Sequence, residues 1–105
     1  MSQRTYVRKS RIHGRGLFAG RSIGRGRFIG SYAGTRTTRN GRYVLWIPGN
    51  NGDYEGIAGK NDLRFVNHSR RPNAAFHGAE LFSLRQIRPH EEITVDYGPD
   101  FPAED

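Results

Sequence analysis

The chain has 105 residues, of which 17 are basic, 10 are acidic and none is cysteine. This length leaves room for one domain, and the lack of cysteine excludes a disulfide framework and a thiolate metal site. The four histidines are scattered, so we expect no bound metal. No apolar run could span a bilayer, and no apolar signal region follows the first residues. We therefore expect a soluble intracellular protein, in the cytoplasm, nucleoid or nucleus, that contacts no membrane.

The net charge of +7 is distributed unevenly along the chain. Ten arginines and Lys9 precede the first acidic residue, Asp53, whereas six basic residues and all ten carboxylates lie from Asp53 onward. The first part therefore carries +11 and the second −4. A basic segment over residues 4–42 is typical of binding to nucleic acid or an acidic partner. Two alternatives stay open: an arginine-rich base composition, and a basic half that faces the acidic half within the fold or across a homodimer.

Short runs of aromatic and β-branched residues recur every eight to twelve residues, which indicates an all-β fold. The predicted strands are 6–8, 17–19, 28–34, 43–47, 74–76, 80–85 and 93–97. The apolar residues in 64–66 could continue a strand, residues 35–42 are a predicted loop, and the Gly-rich segment 53–62 carries no strand prediction. In the last strand, Ile93 and Val95 should share one face with Tyr97, while Thr94 and Asp96 point the other way.

Three segments are candidate ligand-binding elements. Asn67-His68-Ser69 directly follows an apolar pair, and this cluster is either a satisfied structural network or a ligand cradle. Asp96-Tyr97-Gly98 ends the last predicted strand. Gly14-Arg15-Gly16 would let the backbone approach a ligand closely, although a plain turn between strands explains it equally well. This glycine pair is not a dinucleotide fingerprint, because the third glycine and the following helix are missing.

Two hydrolytic arrangements are disfavoured. Glu91 and Glu92 are adjacent, so in an extended segment they point to opposite faces, and we interpret them as turn and surface charges. Ser69, His68 and Asp96 do not suggest a nucleophilic triad, because neighbouring side chains diverge and no nucleophile-elbow glycines flank Ser69.

Taken in order, these segments resemble the SET-domain protein lysine methyltransferases. The matching motifs are G-R-G-L-F-A at 14–19, I-G-S-Y-A-G at 29–34, R-F-V-N-H-S with P-N at 64–73, and E-E-I-T-V-D-Y at 91–97. The resemblance covers about residues 12–98, and the last two motifs in this order are highly specific. Three features depart from the family. Arg70 stands where Cys is usual, His90 stands where Gly is usual, and no cysteine-rich zinc-binding tail follows Tyr97.

The resemblance implies a mostly β fold, a SET-type β-clip of several small sheets with a C-terminal pseudoknot. We expect a single SET domain over residues 1–105, with a core of about 6–98 and a short tail at 99–105. The implied activity is S-adenosylmethionine-dependent protein lysine N-methylation, with S-adenosylhomocysteine as product and no metal. The implied substrate is a protein that carries a target lysine, for example a histone or a DNA-associated basic protein.

The resemblance also assigns roles to single residues. It implies that Tyr97 and Tyr32 are catalytic and that Tyr32 and Phe101 line the lysine channel. It implies that the cofactor is bound by Gly14, Arg15, Gly16, Arg64, Asn67, His68 and Tyr97. The alternative function is a non-catalytic SET-like module that binds nucleic acid or an acidic partner through its Arg-rich first half. The residues do not specify the target lysine or the number of methyl groups added.

Overall fold

The computed structural model describes residues 4–49 and 51–99, which form three small sheets. The strands are β1 (Thr5–Lys9), β2 (Arg15–Ala19), β3 (Phe28–Ser31), β4 (Gly34–Thr37), β5 (Val44–Pro48), β6 (Tyr54–Gly59), β7 (Asn67–His68), β8 (Ala74–His77), β9 (Glu80–Ser83) and β10 (Glu92–Val95). One 3₁₀ turn spans Asp62–Phe65. The predicted mostly β architecture of several small sheets is confirmed. Within the described ranges, no helix is long and apolar enough to cross a membrane.

The first sheet, in the order β1-β2-β10-β7, joins the two ends of the fold. Strands β1 and β2 form an antiparallel hairpin in which Thr5 faces Ala19 at the open end and Lys9 faces Arg15 near the turn. Strand β10 lies between β2 and β7, antiparallel to the first and parallel to the second. The C-terminal strand therefore runs beside the Asn-His pair, which is the neighbour relation expected of the pseudoknot.

Strand β10 is buried on both faces. Ile93 and Val95 are almost fully buried, and so is Thr94, which was predicted to lie on the opposite face. The buried Asn73 explains how this strand satisfies its backbone, because its Oδ1 accepts from Thr94 N (2.9 Å) and its Nδ2 donates to Glu92 O (2.8 Å). Burying each large apolar side chain here stabilises the fold by roughly 1.5–3 kcal/mol.

The predicted strand 28–34 is two strands in different sheets. Asn61 fixes the break between them, since its Oδ1 accepts from Ala33 N (3.2 Å) and its Nδ2 donates to Ser31 O (2.7 Å). Two loop-like segments are in fact strands: β4 occupies the start of the predicted loop 35–42, and β6 occupies most of the Gly-rich segment 53–62. These strands form because β6 pairs with β4 and β5 on its two edges.

The segment expected to continue a strand at Arg64 is instead helical. Two backbone bonds close the 3₁₀ turn, from Arg64 N to Asn61 O (3.1 Å) and from Val66 N to Leu63 O (3.2 Å). The Arg64 side chain adds two more, since its Nη1 donates to the carbonyl oxygens of Lys60 (3.0 Å) and Asn61 (2.9 Å). The turn ends one residue before β7, so it delivers Asn67 and His68 directly to the edge of β10.

His90 has a backbone angle φ of 68°, the only positive φ of a non-glycine residue among those described. Left-handed backbone favours glycine, which accounts for the glycine that the resembling family usually carries at this position. In this chain, His90 N donates to Ala19 O (2.7 Å), and the Tyr6 hydroxyl lies 2.8 Å from His90 Nδ1. These two contacts hold the His90 backbone in a conformation that residues with a side chain disfavour.

Candidate active site

A cleft of about 870 Å³ lies between β7, the segment 12–15 and the beginning of β5. This volume is in the range of small-molecule sites. Six of the predicted site residues line the cleft: Arg15, Tyr32, Arg64, Asn67, His68 and Tyr97. Gly14 lines a neighbouring groove and Gly16 is buried within β2, so these two do not share the cleft lining. Phe101 lies outside the described residues.

Asn67 ties the segment 12–15 to the centre of the fold. Its Nδ2 donates to the carbonyl oxygens of His13 (3.0 Å) and Arg15 (3.1 Å) and to Glu92 Oε2 (2.9 Å). All three partners are acceptors, so the amide orientation is fixed, with Oδ1 turned away from them. Oδ1 is therefore the atom through which the amide can accept a hydrogen bond from a ligand.

Glu92 completes this network, and its interpretation as a surface charge is wrong. The Ser10 hydroxyl lies 2.8 Å from both carboxylate oxygens and accepts from Ile12 N (2.9 Å). Glu92 begins β10 opposite Phe18 of β2, so it packs against the hairpin. A methyl group at Gly16 would collide with Glu92 Oε2, so glycine is what admits the carboxylate.

Glu91 behaves differently from its neighbour. It pairs with Arg85 at 2.6 Å and accepts from Arg88 N at 3.0 Å. Glu91 thus fits its predicted role as a turn charge, whereas Glu92 accepts hydrogen bonds from Ser10 and Asn67.

His68 positions the backbone of Tyr97. His68 Nδ1 accepts from Tyr97 N at 3.0 Å, and the two rings stack with centroids 6.2 Å apart. Because a backbone N–H can only donate, Nδ1 is unprotonated and the ring proton is on Nε2. The Asp96 carboxylate lies 3.8 Å from the same nitrogen. His68 therefore orients its neighbour through Nδ1.

The hydroxyls of Tyr97 and Tyr32 both donate to backbone carbonyls at the cleft. Tyr97 bonds to Val66 O at 2.7 Å, and Tyr32 bonds to Tyr43 O. Burial raises the pKa of Tyr32 to about 12, against a lowering by the Arg64 cation. Burial, and then the proximity of Tyr32, raise the pKa of Tyr97 well above its ordinary value. Both groups are neutral phenols near neutral pH, and because each proton is bonded to a carbonyl, each oxygen is left with acceptor capacity only.

Sequence reasoning missed the aromatic walls around these hydroxyls. The Phe76 ring packs at 5.9 Å from Tyr32 and 6.5 Å from Tyr97, and Tyr43 meets Phe65 at 5.7 Å. A methyl group at Gly59 would collide with the Tyr32 ring, so β6 approaches this tyrosine closely only because it carries glycine. The strand propensity of 43–47 and 74–76 is visible in the sequence, but which face meets the cleft depends on pairing between distant strands.

We expect the free energy of unfolding to fall as the pH rises from about 10 to about 12. A tyrosine in an unfolded chain ionises near pH 10, whereas burial raises the pKa of Tyr32 to about 12. The unfolded state therefore loses its proton first. The stability linked to the neutral phenol is complete below about pH 10 and is lost as the pH rises through about 12. Urea unfolding at several pH values measures this decline. Tyr32→Phe should make it shallower, and an unchanged slope in that variant would contradict the assignment.

Comparisons of the sequence and of the structure with known proteins point to the same kind of domain. The sequence pattern described as "SET domain" matches residues 14–98. The chain is 32% identical over 120 aligned residues to the histone-lysine N-methyltransferase trithorax of Drosophila virilis, and 33% identical to histone-lysine N-methyltransferase 2B of Homo sapiens. Both alignments cover 94% of this chain but only 3% and 4% of those proteins, so the chain spans a small part of their length.

Among solved structures, a chain of the Chaetomium thermophilum polycomb repressive complex 2 superimposes with a TM-score of 0.81. A humanized mutant of the same complex bound to the inhibitor GSK126 gives 0.75. The sequence identities are 20% and 21%, and each match covers 97% of this chain and 16% of the other. These likenesses confirm the fold, the SET-type β-clip expected from the sequence.

Proposed function

This chain belongs to the SET domain family, and we propose that it is an S-adenosylmethionine-dependent protein lysine N-methyltransferase. The similar proteins named above are histone-lysine N-methyltransferases, which supports a methyltransferase that acts on protein. The observation that carries the proposal is a pair of phenols, the half-buried Tyr97 and the buried Tyr32, held by backbone carbonyls in the same cleft as the Asn67 amide. Two phenol oxygens that can accept hydrogen bonds suit a ligand that carries an amine.

The residues of the cleft fit S-adenosylmethionine. The Arg64 guanidinium packs over the Phe65 ring at 4.1 Å, which offers a flat surface for the adenine. Arg15 supplies a cation for the carboxylate, and the fixed Asn67 Oδ1 supplies an acceptor for the ammonium group. Gly16 would contribute indirectly, by admitting Glu92 beneath this segment. When bound, the cofactor supplies a methyl group on a sulfonium, which the substrate amine takes as the S–C bond breaks, leaving S-adenosylhomocysteine.

The chain's own contribution is to orient a neutral amine. A free lysine titrates near 10.4, and the aromatic walls formed by Phe76 and the tyrosines disfavour its charged form. Tyr97 and Tyr32 would then accept hydrogen bonds from the amine and so orient its nitrogen lone pair for in-line attack on the methyl carbon that the cofactor would supply. Because the raised pKa of each tyrosine keeps it protonated, neither acts as a phenolate base. The amine loses its proton to water before transfer.

The proposed substrate is an intracellular protein that carries an accessible lysine, such as a histone or a DNA-associated basic protein. The acidic residues from Asp53 onward could dock such a substrate, whereas the basic part before Asp53 would repel it.

Calorimetric titration with S-adenosylmethionine and S-adenosylhomocysteine tests the cofactor assignment. We expect one saturable site in the wild type and its loss in Asn67→Ala, which removes the amide that anchors the segment 12–15. Asn51→Ala is the matched control, because Asn51 is exposed in the turn between β5 and β6. Folded wild-type protein that binds neither compound would contradict the proposal.

A further inference from the structure

A second groove opens beside the cleft, at the turn end of the β1–β2 hairpin, with a volume of about 870 Å³. We call it the basic groove and define it by six of its lining residues: Arg8, Lys9, Arg15, Arg42, Tyr43 and Phe65. None of the residues that line it is acidic. We propose that the basic groove binds a single strand of nucleic acid through its phosphates, a function separate from methyl transfer.

The fold gathers these cations from separate parts of the sequence. Antiparallel pairing places Lys9 opposite Arg15 and Arg8 opposite Gly16. Arg42 reaches the same place from the segment before β5, with its Nη2 3.3 Å from His13 Nε2. All four cationic residues are exposed.

These cations have no acidic partner in the described part of the chain. There, the ion pairs of the arginines are Arg36 with Glu55 and Arg85 with Glu91, both outside the groove. Four like charges around one groove repel one another, and a polyanion relieves that repulsion while releasing its own counterions.

The side chains favour nucleic acid over an acidic protein segment. Three of the four cations are arginines, whose planar fork matches phosphate oxygens two at a time. The groove also offers flat surfaces, since the Tyr43 and Phe65 rings line it and the Arg42 guanidinium lies 5.6 Å from the Tyr43 ring centre. Unpaired bases stack on such arginine and aromatic planes, whereas acidic side chains have no use for them.

The groove and the cleft share a wall, formed by Arg15, Arg42, Tyr43 and Phe65. A bound strand would therefore run along the rim of the proposed cofactor site. Arg8 and Lys9 line only the groove, so changing them tests strand binding without touching the cleft.

The test is the fluorescence anisotropy of a fluorescein-labelled 20-nucleotide single-stranded DNA, titrated with protein at increasing NaCl from 50 mM. Contact with about four phosphates predicts a log–log salt slope of about −3. Arg8→Gln/Lys9→Gln should make the slope shallower by about 1.4 and raise the Kd about tenfold at low salt. Arg21→Gln/Arg25→Gln is the control of equal net charge, because Arg21 and Arg25 are exposed and follow β2, beyond the open end of the hairpin.

Several outcomes would overturn the proposal. The first is no binding of the labelled strand at 50 mM NaCl, and the second is a control variant that loses as much affinity as Arg8→Gln/Lys9→Gln. The third is polyglutamate that displaces the labelled strand as effectively as unlabelled DNA does at equal total charge. Arg8 also stacks on Phe18 at 4.9 Å, so thermal unfolding must show both variants folded. Lys9→Gln alone keeps that contact and should give about half the change in slope.

Discussion

Tyr97→Phe is expected to slow methyl transfer by about 10²-fold or more while leaving the Kd for S-adenosylhomocysteine nearly unchanged. The variant keeps the ring that packs against His68 and Phe76 and removes only the oxygen. That oxygen donates a hydrogen bond to Val66 O, so toward the proposed substrate amine it can only accept. Its loss removes a preorganised contact to the reacting group and should appear in kcat more than in KM.

Single-turnover transfer of a labelled methyl group to a basic protein measures this effect, with calorimetry for the cofactor. Tyr54→Phe is the matched control, since it deletes the same hydroxyl from an exposed tyrosine outside the cleft. Tyr97→Phe should also lower the free energy of unfolding by about 1–3 kcal/mol, because the buried Val66 carbonyl loses its donor. Wild-type turnover in Tyr97→Phe would remove this residue from the reaction.

The motifs that resemble the family were sufficient to predict which segments meet. Asn67-His68 and Asp96-Tyr97 are far apart in sequence, and no local rule brings them together. The structure shows them side by side because β10 runs parallel to β7. Composition and residue patterns indicated only short strands with turns between them, because such a pattern predicts single strands but not which strands pair.

The errors concern segments whose conformation is set by distant partners. Strand β6 is Gly-rich, and its glycines give little strand propensity. It is nonetheless the central strand of its sheet, and Gly59 is where the fold needs room for Tyr32. Glu92 was misjudged for the same reason, since its direction follows from the pairing of β10 with β2 and from the missing side chain at Gly16.

His90 shows the reverse case, in which a departure from the family pattern has a local explanation. The position requires a positive φ, and histidine tolerates the left-handed region better than most residues. The compensating contact with Tyr6 lies on β1, at the other end of the chain, and no pattern in the sequence points to it.

Asn67→Asp is expected to lower the free energy of unfolding by about 3 kcal/mol or more and to abolish cofactor binding. The substitution preserves shape but replaces a donor with a negatively charged acceptor. The new carboxylate would face the carbonyl oxygens of His13 and Arg15 and the Glu92 carboxylate, all of which now receive hydrogen bonds from Asn67 Nδ2. Urea unfolding at pH 7.5 and calorimetric titration with S-adenosylhomocysteine measure the two effects.

A second substitution separates the repulsion between the carboxylates from the lost carbonyl contacts. Glu92→Gln alone should destabilise the fold. If the new amide nitrogen faces Asn67 Nδ2, two donors meet, and if it faces Ser10, the Ser10 hydroxyl loses an acceptor. In Asn67→Asp/Glu92→Gln, the new amide can donate to the new carboxylate, so the pair is restored with its polarity reversed. The double variant should therefore be more stable than Asn67→Asp alone, with a coupling energy of about 1–3 kcal/mol. Recovery should stay partial, since His13 and Arg15 still lack their donor. Additive effects would show that Glu92 does not act through Asn67.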